Sequence, residues 1–148
     1  MRFDLRDLPP ATRYRIMTAT ITPRPIAWVT SISAQGVGNA APFSFFNMVG
    51  DDPPLLALGI MHRPDGRLKD TTANILATGE FTVNLVSEAD ARRMNRCSAD
   101  APPEVDELAY AGIETVPASL IRPPLIASAP ASFDCLRPMV IETGPRQT

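Results

Sequence analysis

Arg63, Arg67, Lys69, Asp70, Thr71 and Thr72 crowd a short stretch where a turn gives way to a helical pattern. Pro64-Asp65-Gly66 is turn chemistry. Asp70 reads as the N-cap of a helix through Ala77, with Leu68, Ile75 and Leu76 inward and Gly79 as its stop. A helix start offers unpaired backbone N–H groups at the positive end of its dipole, so it attracts anions and phosphate in particular. Basic and hydroxyl side chains around such a start suit a dianion. The plain alternative is a solvated basic loop in front of an ordinary helix.

Other chemistries lack their residue sets. His62 is the one histidine, and Cys97 and Cys135 stand without zinc spacing, so no metal ligand is assigned. No serine has the context of a nucleophile elbow, and neither G-x-G-x-x-G nor a P-loop occurs. His62 reads as a polar residue at a strand end, and no catalytic residue is assigned. A phosphate-type site with so few ionisable groups nearby points to chemistry supplied by a cofactor that the protein holds and tunes.

The elements that must position this site begin with the stretch from Thr22 to Val49. It reads as two strands joined by the glycine turn AQGVG. In the first, Ile26, Trp28, Thr30 and Ile32 alternate with the smaller Ala27, Val29, Ser31 and Ser33, the period-2 pattern of a strand with two different neighbours. The second, NAAPFSFFNMV, carries Pro42 and Ser44 among small and aromatic residues. Proline cannot donate to a sheet ladder, so it belongs at an edge, a bulge or a strand start. Neighbouring backbone groups then need partners from outside the sheet.

The totals favour one domain over 1–148, with 45% hydrophobic and 20% charged residues. A net charge of −2 gives no electrostatic case for nucleic acid. Two cysteines, no signal-peptide pattern and no membrane-length apolar run point to a reduced, cytoplasmic chain. Residues 1–21 read as a covering segment with a short helical turn through Met17. Leu55 to Met61 is a continuous apolar run, expected as a strand buried on both faces, with Gly59 marking a bulge or a close approach. Glu80 to Val86 alternates as a strand, and Ser87 opens a helix to about Asn95. Residues 96–130 read as a proline-rich loop region with short strand pieces. Ser132 to Glu142 reads as a further strand interrupted by Pro138. Strands without a regular βα alternation make a mainly β fold with short α-helices: a small barrel, not a doubly wound sheet.

Five blocks in this order, TPRPIAWVTSIS (22–33), NAAPFSFFN (39–47), the PP-L-L turn and strand (53–58), RPDGRLKDTTANI (63–75) and GEFTVNLV (79–86), resemble the flavin reductase family with the FMN-binding split barrel. The resemblance implies a Greek-key-like split β-barrel and a homodimer with FMN, or FAD, near the subunit interface. It also implies reduction of that flavin by NADH or NADPH, often to supply a partner monooxygenase. Carried over by position, Thr30, Ser31 and Ile32 flank the flavin ring. Asn39, Ala40, Ala41, Pro42 and Ser44 line it, mainly through backbone contacts and the Ser44 hydroxyl. Lys69, Asp70 and Thr71 hold the phosphate, with Arg63 and Arg67 as further candidates. Family members usually continue for several strands beyond the ASFDC block at 131–135, so the barrel is expected to be shortened at its C-terminus. An FMN-binding carrier or interaction module without turnover is the competing expectation.

Overall fold

A computed structural model describes residues 2–99, 101–137, 139–144 and 147. Its centre is an antiparallel sheet of four strands in the order β2 (Gly38–Phe43), β1 (Ala27–Ile32), β5 (Glu80–Leu85), β8 (Ser132–Leu136). β1 and β2 form the expected hairpin, with Ala27 opposite Phe43 and Ile32 opposite Gly38. Its turn closes through Ser33, whose N–H donates to the Val37 carbonyl at 3.0 Å, while Gly36 takes a φ of 89°. β5 pairs with the other edge of β1, placing Val83 opposite Val29 and Thr82 opposite Thr30.

The two-sided pattern of β1 is realised as two cores. On one face Ala27 and Val29 meet Val83, Phe43, Ile60 and Ile75; on the other Trp28 and Ala40 meet Cys97, Leu108, Ala111 and Ile126. The polar residues of β5 are not left to solvent. Thr82 and Asn84 are fully buried, and Asn84 donates to the Trp28 carbonyl and accepts from the Ile126 N–H and the Ser132 hydroxyl. Thr30 joins this layer through hydrogen bonds with Thr82 and the Pro124 carbonyl.

Several expectations shift. The aromatic strand splits: β2 ends at Phe43, and the chain bends before β3 (Phe46–Asp51), which pairs with β4 (Pro54–Leu58) in a separate ribbon. The apolar run in β4 is therefore not buried on both faces; its residues are exposed or half-buried. Gly59 marks a close approach, for a Cβ there would stand 3.1 Å from Phe45 Cβ and 2.9 Å from Gln147 Nε2. The helical turn in the covering segment is a full helix, α1 (Pro10–Thr20), with no buried residue. α2 spans Asp70–Thr78 and ends at Gly79, whose φ of 75° is the left-handed conformation glycine supplies. Its N-cap is Lys69, so Asp70 is the first helical residue instead of the cap. Ser87 caps a 3₁₀ turn that leads into α3 (Ala91–Arg96). The 96–130 region holds a helix, α4 (Glu107–Ala111), and the short ribbon β6 (Thr115–Val116) with β7 (Leu125–Ile126). The last strand ends at Leu136, and Pro138 lies outside the described residues.

The fold is mainly β with short helices. Among the described residues the strands form one sheet and two ribbons, without closing into a barrel.

Candidate functional site

β2 is an edge strand, and its phase explains how it tolerates proline. The Ala40 N–H points away from β1, because it donates to Glu107 Oε2 at 3.0 Å. Backbone groups two residues apart in a strand face the same way. Pro42 therefore stands where an N–H would point outward, and its missing donor breaks no ladder bond. The outward N–H of Ala40, expected to await a ligand, is instead taken by a side chain from α4.

The start of α2 lies beside this edge. Asn39 and Thr71 are in direct contact, Asn39 side chain to Thr71 Oγ1, at 2.9 Å. With the Asn39 amide turned so that its nitrogen donates to Glu107 Oε2 at 3.1 Å, its oxygen accepts from the Thr71 hydroxyl at 2.9 Å and the Ala40 N–H at 3.2 Å. On the same sheet face Asn74 of α2 donates to Ser31 Oγ at 3.2 Å. Edge strand and helix start are thus locked together by side-chain amides and hydroxyls.

Two adjoining cavities open along this seam. The smaller, about 80 Å³, is lined by Asn39, Ala41 and Pro42 of β2, by Arg63, Lys69, Asp70 and Thr71 at the start of α2, and by Cys97, Ser98, Ala99 and Glu107. Seven of the residues singled out from the sequence therefore meet at one place. The larger cavity, about 460 Å³, shares Asn39, Asp70 and Glu107 and extends toward Ser33, Gln35, Asn74 and Glu104. Among the described residues its lining includes no lysine or arginine.

The charges in the small cavity are individually placed. Arg63 pairs with Asp70 at 2.7 Å, both partly shielded from solvent. Lys69 Nζ sits 5.7 Å from the centre of the Phe43 ring, a cation–π contact that holds the ammonium beside the cavity. No side chain caps the start of α2, which leaves its first N–H groups able to receive an anion. Burial, as the chief cause, pushes the Glu107 carboxyl up to about 7; the Ala40 N–H and Arg63 pull it down, while Asp70 and Asp106 push it further up. Burial also lifts the Cys97 thiol to about 11, so this sulfur is no nucleophile near neutral pH.

The remaining candidates stand elsewhere. Thr30 is fully buried in the layer beneath β7, and Ser31 is committed to Asn74. Neither they nor Ile32, Ala40, Ser44 or Arg67 line the two cavities. The Ser44 hydroxyl accepts from Arg24 Nε at 3.3 Å, and Arg67 is an exposed partner of Asp65 at 2.7 Å. Glu107 was not legible as a site residue, because 96–108 reads as a polar loop. Its signal was local: Asp106 ahead of ELAYA and Gly112 behind it are a start and a stop bracketing one helical turn. In the structure the Asp106 carboxylate accepts from the Ala109 N–H, and Gly112 takes a φ of 65°.

Residues 18–144 match the family model described as a flavin reductase like domain. The chain is 42% identical over 135 residues to an uncharacterized protein of Aquifex aeolicus, covering 91% of this chain and 69% of that one. Its fold is similar to the 2-nitrobenzoate 2-nitroreductase of Pseudomonas fluorescens, with a TM-score of 0.88 and 34% identity over 99% of this chain and 70% of that one. It is also similar to nitrilotriacetate monooxygenase component B from Bacillus cereus, with a TM-score of 0.87 and 31% identity over 92% and 67% of the two chains. The chain thus spans 67 to 70% of the lengths of these three proteins.

Proposed function

The chain belongs to the flavin reductase-like domain family, and on that premise we propose that it is an NAD(P)H-dependent flavin reductase acting on FMN. The observation that carries this reading is the convergence of the β2 edge and the start of α2 on one cavity. The residues present fit a phosphate monoester there: an uncapped helix start, the Lys69 ammonium, the Arg63 guanidinium and the Thr71 hydroxyl. The adjoining larger cavity, with Asp70, Glu104 and Glu107 in its lining, disfavours a second phosphate and supports FMN over FAD.

When bound, the flavin supplies the redox chemistry, accepting a hydride from NADH or NADPH. The chain's own part is binding and orientation. Lys69, Arg63 and the α2 start hold the phosphate, with Asp70 fixing Arg63 and Thr71 fixing Asn39. Asn39, Ala41 and Pro42 shape the wall along β2. Thr30, Ser31 and Ile32 act from behind by holding β1 in register with β2, and Ala40 ties the β2 edge to α4 through its bond to Glu107. No lining residue is assigned a proton-transfer role in this reading.

A homodimer with flavin near the subunit contact and a single cytoplasmic domain over 1–148 complete the reading. So does a monooxygenase that takes up the reduced flavin, a role supported by the name of the similar Bacillus cereus protein. The experiment is a titration of FMN into the purified protein, followed by anaerobic NADH or NADPH and an absorbance spectrum. Quenched flavin fluorescence and bleaching of the flavin band are expected. Tight binding without bleaching or NAD(P)H oxidation would favour the carrier role, and absence of quenching would remove both.

A further inference from the structure

The phosphate reading gives no task to the most buried carboxylate in the lining of the two cavities. Glu107 is 8% exposed, and its side chain lines both cavities. It reaches the β2 edge from α4, bonding the Ala40 N–H at 3.0 Å and the Asn39 amide at 3.1 Å. The ionisable groups facing it come from each neighbouring element. Asp70 faces it from α2, Arg63 from the turn before α2, Cys97 from the end of α3, and Asp106 from the start of its own helix. Glu104 lines the larger cavity beside it, and β2 contributes no titratable side chain. In the small cavity, Arg63 and Lys69 stand against Asp70 and Glu107. Ionised Glu107 adds a negative charge to this set, and its protonation removes that charge.

The geometry points to Glu107 as a positioning residue whose own charge sets how tightly the pocket holds an anionic group at the start of α2. This rests on the reading of that start as an anion site. The carboxyl titrates near neutrality, at about 7, so a fall in pH through this value removes a negative charge from the cavity and tightens the anion. Linkage is reciprocal: a bound anion must raise the pH at which Glu107 loses its proton. The same group keeps its hydrogen bonds to β2 in either state of charge, so its effect on the ligand is electrostatic while its effect on the strand is geometric.

Sulfate tests this, because it remains a dianion from pH 6 to 8.5 and any pH dependence then belongs to the protein. Its binding is followed through the amide signals of Ala40 and Thr71 in the wild-type protein and in Glu107→Gln, at constant ionic strength. The wild-type dissociation constant should rise about three- to tenfold across that range, while Glu107→Gln stays flat near the tighter value. FMN should follow sulfate above pH 7, where its phosphate is doubly ionised, and riboflavin should not respond. Equal slopes in the two proteins, or no sulfate binding at all, would overturn the proposal. Sulfate binding with the expected slope but no flavin binding would sink the flavin reading and leave the Glu107 role standing. Should Glu107→Gln fail to fold, the carboxyl titration of Glu107 in the wild type decides the matter: a midpoint unmoved by sulfate refutes it.

Discussion

Lys69 and Arg63 bring the same charge to one cavity but are held by different partners. Arg63 is tied to Asp70, so much of its field is already answered. Lys69 rests on the Phe43 ring, which steadies the ammonium without occupying its donors with an oxygen. Lys69→Ala should therefore weaken FMN binding by about 1–3 kcal/mol, the scale of a charge-assisted hydrogen bond, and leave riboflavin nearly unchanged. Fluorescence titration with both ligands measures this, and equal losses would place the phosphate elsewhere. Glu107 yields a second prediction, on stability. Its carboxyl moves from an ordinary value of 4.5 to about 7 in the folded protein. Between these values the folded state holds a proton that the unfolded chain has released, so stability falls as pH rises through the window and levels off above it. Relative to Glu107→Gln, the wild type should lose up to about 3 kcal/mol between pH 4.5 and 7.5. Denaturant melts at a series of pH values read this directly; parallel curves would contradict it.

Among the elements, β5 ties the structure together through its buried polar face. Asn84 has no exposed surface and joins three strands, bonding the Trp28 carbonyl on β1, the Ile126 N–H on β7 and the Ser132 hydroxyl on β8. Replacing it with alanine leaves several buried groups without partners, each costing on the order of 1–3 kcal/mol. Asn84→Ala should destabilise the protein by about 2–4 kcal/mol, read as a lower urea midpoint with an unchanged slope. A loss below 1 kcal/mol would mean that water replaces the amide. β2 shows the opposite economy. Its proline sits at an outward-facing edge position, and a neighbouring helix supplies the acceptor that Ala40 needs. That edge is stabilised by α4, so the site and the helix rise or fall together.

At the scale of the molecule, the β3–β4 ribbon presents apolar side chains outward. Met48 is 66% exposed and Val49 62% exposed, and α1, whose Tyr14 ring lies 6.3 Å from that of Phe45 just before β3, buries none of its residues. Apolar surface left uncovered in this way suits a subunit contact, in keeping with the proposed homodimer. Light scattering coupled to gel filtration should report twice the 16.0 kDa chain mass, and the double replacement Met48→Glu, Val49→Glu should return it to the monomer value. A wild-type monomer at all concentrations would remove the dimer from the reading.

Taken alone, the amino-acid order determined the hairpin of β1 and β2, the helix that ends at Gly79 and the two-sided pattern of β1, while five sequence blocks in order carried the resemblance to the family. The three elements are carried by periodicity and turn residues, signals that lie within a few positions of one another. Lys69, Asp70 and Thr71 could be read as an anion site for the same reason, since a helix start is a local object. What sets Asn39 against Thr71, or brings Glu107 to the Ala40 N–H across 67 positions, is the packing of α2 and α4 on either side of the β2 edge. The same packing buried Thr30 and Ser31 outside the cavity linings and left the apolar run of β4 on an exposed ribbon. Composition cannot decide such matters, because burial belongs to a position in the assembled sheet and not to a residue type.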